Sequence, residues 1–97
     1  MLDTIELSKK LISFDSITPA KQDIFNFLIK TFEENGFSTK QLNFDGDGSY
    51  EVINLMATYG SPNTNAKHFN FLCHVDVVPP GNVEDWDTPP FEPTIKD

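Results

Sequence analysis

Ninety-seven residues, 38% of them hydrophobic and 12% aromatic, make one small globular domain with a modest core and rule out a disordered tail. Seven lysines, no arginine and fifteen acidic residues leave a net charge of -8, which argues against nucleic acid and anionic membranes as partners because their phosphates repel the chain.

In chain order, residues 3 to 14 place Leu7, Leu11 and Phe14 at i, i+4 and i+7, with Ile5 and Ile12 flanking that stripe and Lys9 and Lys10 on the other side. This spacing predicts an amphipathic helix. Asp15-Ser16-Ile17-Thr18-Pro19 breaks it, and Thr18 before Pro19 reads as the N-cap of a second helix with proline at its first position, where a missing N–H costs nothing. That helix is expected to run to about Asn35 on a broad apolar face of Ile24, Phe25, Leu28, Ile29 and Phe32, with Gly36 as its left-handed C-terminal residue. A face that wide suits packing on a sheet. Phe27 falls outside the tightest stripe and is left to meet another element or solvent.

Phe37 to Phe44 predicts a first strand, and Asp45-Gly46-Asp47-Gly48-Ser49 a turn by composition. The turn begins like a calcium loop. Its sixth position, however, is Tyr50 where glycine is needed and its twelfth is Met56 where a bidentate glutamate is needed, so that reading fails. Glu51 to Tyr59 predicts a second strand with Ile53, Leu55, Ala57 and Tyr59 on one face, Val52 and Met56 on the other, and both faces largely covered. Residues 60 to 67 form a polar, exposed connection. An apolar run from about Phe69 to Val75 then reads as a short strand buried in an α/β sheet, and functional groups in such sheets gather at the carboxyl ends of strands.

His74 lies at that end, and Asp76 follows two positions later before Pro79-Pro80-Gly81 stops the element. Residues two apart in an extended segment share a face. A metal-binding imidazole passes its other ring N–H to a carboxylate or carbonyl, which fixes its tautomer and raises its basicity. His74 and Asp76 have the chemistry and the spacing for that pairing, although a histidine beside an aspartate, taken alone, is most often structural or solvated. His68, at the entry of the run, reads as solvated. Residues 79 to 97 hold five of the seven prolines and read as an ordered irregular loop anchored by Trp86 and Phe91.

The stretch His74-Val75-Asp76-Val77-Val78-Pro79-Pro80-Gly81, followed by Asp85-Trp86 and Pro89-Pro90-Phe91-Glu92-Pro93-Thr94-Ile95, resembles the first metal-ligand segment of the di-zinc aminoacylase and carboxypeptidase superfamily. Leu7 to Phe14, Ser16-Ile17-Thr18-Pro19, Asn35-Gly36-Phe37 and Asn54-Leu55 fall in the order of that family's opening helix, Ser-Val-Thr-Pro-like turn, Gly-Phe helix end and following strands. The resemblance thus covers essentially the whole chain. Cys73 and Val75 depart from the small glycine that usually precedes the family's ligand histidine and the threonine that often follows it.

The resemblance implies an α/β fold, two helices packed on a mixed sheet, forming residues 1 to 97 of a catalytic metallohydrolase domain that stops before the remaining metal ligands. It implies His74 as a ligand to one of two zinc or cobalt ions, and Asp76 as the catalytic-site carboxylate that orients His74 and tunes its basicity. The implied substrate is a small molecule, N-succinyl-LL-2,6-diaminopimelate, hydrolysed to succinate and LL-2,6-diaminopimelate in lysine and peptidoglycan synthesis. The whole enzyme is expected to be a homodimer. These residues alone are expected to be inactive and to hold no zinc tightly, since one histidine falls short of the three or four ligands a zinc site uses. Glu84, Asp85 and Asp87 are expected to stay out of the metal site. Sister dipeptidases, aminoacylases and acetylornithine deacetylases share the His-x-Asp core and remain alternatives, as does a non-enzymatic interaction module. Substrate-binding residues are not assigned by the sequence.

A single cysteine, Cys73, cannot form an internal disulfide. The start Met1-Leu2-Asp3 lacks the basic region and long apolar core of a secretory signal, and no apolar run approaches the ~18 to 20 residues a membrane span needs. A cytoplasmic protein is expected.

Overall fold

The computed structural model describes residues 3–61, 63 and 65–97. Helix α1 (Thr4–Ile12) starts where Asp3 accepts a hydrogen bond from the Glu6 N–H at 2.8 Å, and its ends carry Glu6 and Lys9 with Lys10, as the helix dipole favours. It stops short of Phe14. That ring instead packs on Phe27 with centroids 5.6 Å apart, so the aromatic that fell outside the stripe of the second helix joins the two helices.

Helix α2 (Gln22–Glu34) begins later than the Thr18-Pro19 signal predicts. Its N-cap position is Lys21, which makes no side-chain capping bond, and the Thr18–Pro19 peptide bond is cis. Thr18 fails as a cap because its hydroxyl is engaged elsewhere, on Asp76. The C-terminal end follows the sequence closely. Gly36 takes φ 87°, its N–H reaches the Glu33 carbonyl at 3.1 Å, and the Phe37 N–H reaches the Phe32 carbonyl at 3.0 Å. The Phe32 and Phe37 rings then meet at 5.1 Å, which supplies the apolar contact that accompanies this helix stop.

Strands β1 (Ser38–Phe44) and β2 (Val52–Thr58) form an antiparallel hairpin, in register from Ser38 opposite Thr58 to Phe44 opposite Val52. Among the described residues the sheet is therefore two-stranded and antiparallel where a mixed sheet was expected, and the parallel element is a single bridge between Ile17 and Val77. The predicted third strand is also absent among the described residues. Phe69, Phe71 and Leu72 are 82%, 85% and 93% exposed, so an apolar run that needs a ladder partner and cover on both faces has neither here.

The helix α2 covers one face of the hairpin. Ile53, Leu55 and Ala57 are half-buried there. Gln22 and Gln41 exchange amide hydrogen bonds of 2.7 and 2.9 Å, and Thr39 donates to Glu33, tying helix to strand. The opposite face is open, against the expectation of cover on both sides: Val52 and Met56 are exposed. Among the described residues Ile24 and Phe25 are the only buried apolar side chains, and the Cα radius of gyration is 16.2 Å, against about 13 Å for a closed 100-residue globule. The residues thus form a helix-backed hairpin with a small core and an irregular arm. Among the described residues no helix is long and apolar enough to cross a membrane.

This distribution of burial sets an order for mutational costs. Ile24→Ala should lower the unfolding free energy by about 2–5 kcal/mol, while Met56→Ala on the open face should fall within about 0.5 kcal/mol of the parent. Urea unfolding followed by circular dichroism reads both, and equal costs would contradict a core centred on Ile24.

Candidate functional site

Two segments far apart in sequence meet to build the site. The Val77 N–H donates to the Ser16 carbonyl at 3.0 Å, and the Thr18 N–H donates to the Val77 carbonyl at 3.0 Å. These two bonds lay residues 16–18 alongside residues 76–77, and they bury Ser16 to 5% exposure. The pairing also brings side chains together. Thr18 Oγ1 donates to Asp76 Oδ2 at 2.7 Å and lies 3.2 Å from the Val77 carbonyl, so the shorter contact with the charged acceptor takes the proton.

The other carboxylate oxygen faces the histidine. His74 Nδ1 lies 3.1 Å from Asp76 Oδ1 and 3.0 Å from the Asp76 carbonyl, both acceptors, so Nδ1 carries the proton and Nε2 keeps the lone pair. The imidazole is 84% exposed. Its orientation therefore comes from these bonds and not from packing. The pairing that the His-x-Asp spacing predicts is thus present in space, with Thr18 as a third member that local sequence reading had placed at a helix cap. The one sequence signal for Thr18 was its place in the Ser-Ile-Thr-Pro turn.

Electrostatics follow from the same bonds. The Thr18 hydroxyl is the largest influence and holds the Asp76 carboxyl below its ordinary value; burial opposes it, and the weaker effect of the His74 ring adds to the lowering.

Beside His74 runs an apolar cleft of about 540 Å3, walled by Leu11, Phe14, Ile24, Val77, Trp86 and Phe91. Trp86 is held by its indole N–H, which donates to the Pro80 carbonyl at 3.0 Å, and the 3-10 turn Val83–Asp85 before it is capped by Asn82. The predicted proline-rich loop is thus irregular and anchored by its tryptophan. Asp87 pairs with Lys96 at 3.1 Å, while His68 and Cys73 are exposed.

Among the described residues no three of histidine, cysteine, aspartate and glutamate come together to hold an ion. His74 nonetheless has the donor chemistry of a metal ligand: an accessible ring, a free Nε2 and a carboxylate on Nδ1.

No family model matches the chain. It is 47% identical to a succinyl-diaminopimelate desuccinylase of Pelagibacter ubique over 95% of its own length and 23% of that protein's. Proteins of the same name from Wolbachia of Brugia malayi and from Methylococcus capsulatus are 42% and 40% identical over 99% and 100% of the chain, and over 23% and 24% of their own lengths. Through nearly its whole length the chain is similar to these proteins. It corresponds to the N-terminal portion of succinyl-diaminopimelate desuccinylase and spans about 23% of the length of these relatives.

The lowered Asp76 carboxyl fixes the direction of a pH effect. A carboxylate whose folded value lies below its unfolded value of about 3.9 adds stability above that pH and loses it as pH falls through the folded value. In metal-free protein, Asp76→Asn should therefore lower the thermal midpoint at pH 7, and the gap to wild type should close below about pH 4. Thermal melts across this range test it; a gap that does not change with pH would be contrary.

Proposed function

We propose that this chain is the N-terminal part of the catalytic domain of a metal-dependent amidohydrolase that cleaves N-succinyl-LL-2,6-diaminopimelate. Water is added across the amide, so that the acyl carbon leaves as succinate and the nitrogen as the free amine of LL-2,6-diaminopimelate. The observation that carries this reading is the His74–Asp76 pair, 3.1 Å apart, in a chain 40–47% identical throughout to proteins bearing that name. Lysine and diaminopimelate synthesis is the corresponding biosynthetic setting.

Two zinc or cobalt ions, when bound, supply Lewis acidity that makes water a nucleophile near neutral pH and stabilises the oxyanion of the attacked amide. Within this chain, His74 offers Nε2 as one ligand. Asp76 holds the Nδ1 proton, keeps the ring in the ligating tautomer and raises the basicity of the ligand nitrogen. The remaining ligands, the general base and the surfaces of a homodimer lie in the rest of such an enzyme. The open face of the hairpin and the exposed Phe69, Phe71 and Leu72 agree with this, because they are apolar surfaces that a larger domain would cover.

The test is hydrolysis of N-succinyl-LL-2,6-diaminopimelate by the full-length protein with added zinc or cobalt, beside His74→Ala. Succinate release that His74→Ala reduces to background is the expected result. Release of amino acids from dipeptides or N-acetyl amino acids, with none from the succinyl substrate, would transfer the protein to a sister family.

A further inference from the structure

The carboxylate of Asp76 is held at both of its oxygens. Oδ2 receives the Thr18 hydroxyl at 2.7 Å and Oδ1 faces His74 Nδ1 at 3.1 Å. A carboxylate is planar, so a partner on one oxygen limits rotation about the Cβ–Cγ bond and sets where the other oxygen points. Thr18 is itself fixed, because its N–H and the Val77 N–H complete the two backbone bonds that join the segments. The histidine lacks any comparable support. Its ring is 84% exposed, and the only polar partners that orient it among the described residues are the two oxygens of Asp76.

We propose that Thr18 is a positioning residue: by binding Oδ2 of Asp76 its hydroxyl aims Oδ1 at His74 and so sets the orientation and the Nδ1–H tautomer of that histidine. The consequence for metal affinity rests on the function proposed above, while the effect on the ring does not. Asp76 is 38% exposed, so without the hydroxyl its carboxylate is free to turn to water. His74 then loses one of its two acceptors and the bias that keeps Nε2 unprotonated.

Full-length protein carrying Thr18→Val, which keeps the side-chain shape and the backbone bonds, is compared with Thr18→Ser, which keeps the hydroxyl. In metal-free protein, nitrogen NMR of the His74 imidazole should show the Nδ1–H tautomer in wild type and Thr18→Ser, and a mixture in Thr18→Val. Zinc titration should give an affinity about 10- to 100-fold weaker for Thr18→Val and near wild type for Thr18→Ser. A hydroxyl with a purely structural role would lower the thermal midpoint of Thr18→Val and leave both tautomer and zinc affinity unchanged, and that result overturns the proposal. A predominant Nε2–H tautomer in metal-free wild type overturns it without any variant, so a Thr18→Val protein that does not fold leaves the test intact. Neither readout uses substrate. Wild-type protein inactive on the succinyl amide would refute the desuccinylase reading, while the tautomer measurement would still decide the role of Thr18.

Discussion

The contact between residues 16–18 and residues 76–77 joins two segments far apart in sequence and makes the site at the same time. It closes a loop across 58 sequence positions, at an entropic cost of about 3–4 kcal/mol from chain length alone. Two backbone bonds at about 1 kcal/mol each and one hydroxyl–carboxylate bond of about 1.5–3 kcal/mol roughly offset that cost. The margin then falls to apolar contact along the cleft, where Leu11, Phe14, Val77 and Phe91 come together. The Asp76 carboxylate thus belongs to the closure as well as to the histidine, and substitutions there act on both.

The helix α2 carries the rest. Its buried pair, Ile24 and Phe25, gives the chain its core, and its C-terminal stop at Gly36 turns the backbone directly into the hairpin. A Cβ on Gly36 would lie 3.3 Å from the Tyr59 ring, in a φ region that side chains rarely adopt, so glycine serves both the turn and the approach of that aromatic. Burial is one-sided throughout. The helix covers one face of the hairpin, and the other face, together with the arm that leads to His74, presents apolar side chains outward. That asymmetry fits a chain that spans about 23% of the length of its relatives.

Local signals were readable where the cause is local. The apolar face of α2, its glycine stop, the Asp45 to Ser49 turn and the two strands beside it depend on residues close in sequence, and the His74–Asp76 pair depends on a spacing of two. Legibility failed where the partner is distant or missing. Thr18 satisfies every local rule for an N-cap, but Asp76 takes its hydroxyl, and only the fold brings that carboxylate near. The run from Phe69 to Val75 has the composition of a buried strand without the neighbouring strand that would make it one.

The central claim is that His74 binds metal through Nε2 while Asp76 holds Nδ1. A crystal structure of the full-length protein with zinc, read by anomalous scattering at the zinc edge, tests it directly. The predicted result is an ion about 2.0–2.1 Å from His74 Nε2, with Asp76 still on Nδ1. Zinc bound with His74 outside its coordination sphere, or attached through Nδ1, would contradict the claim.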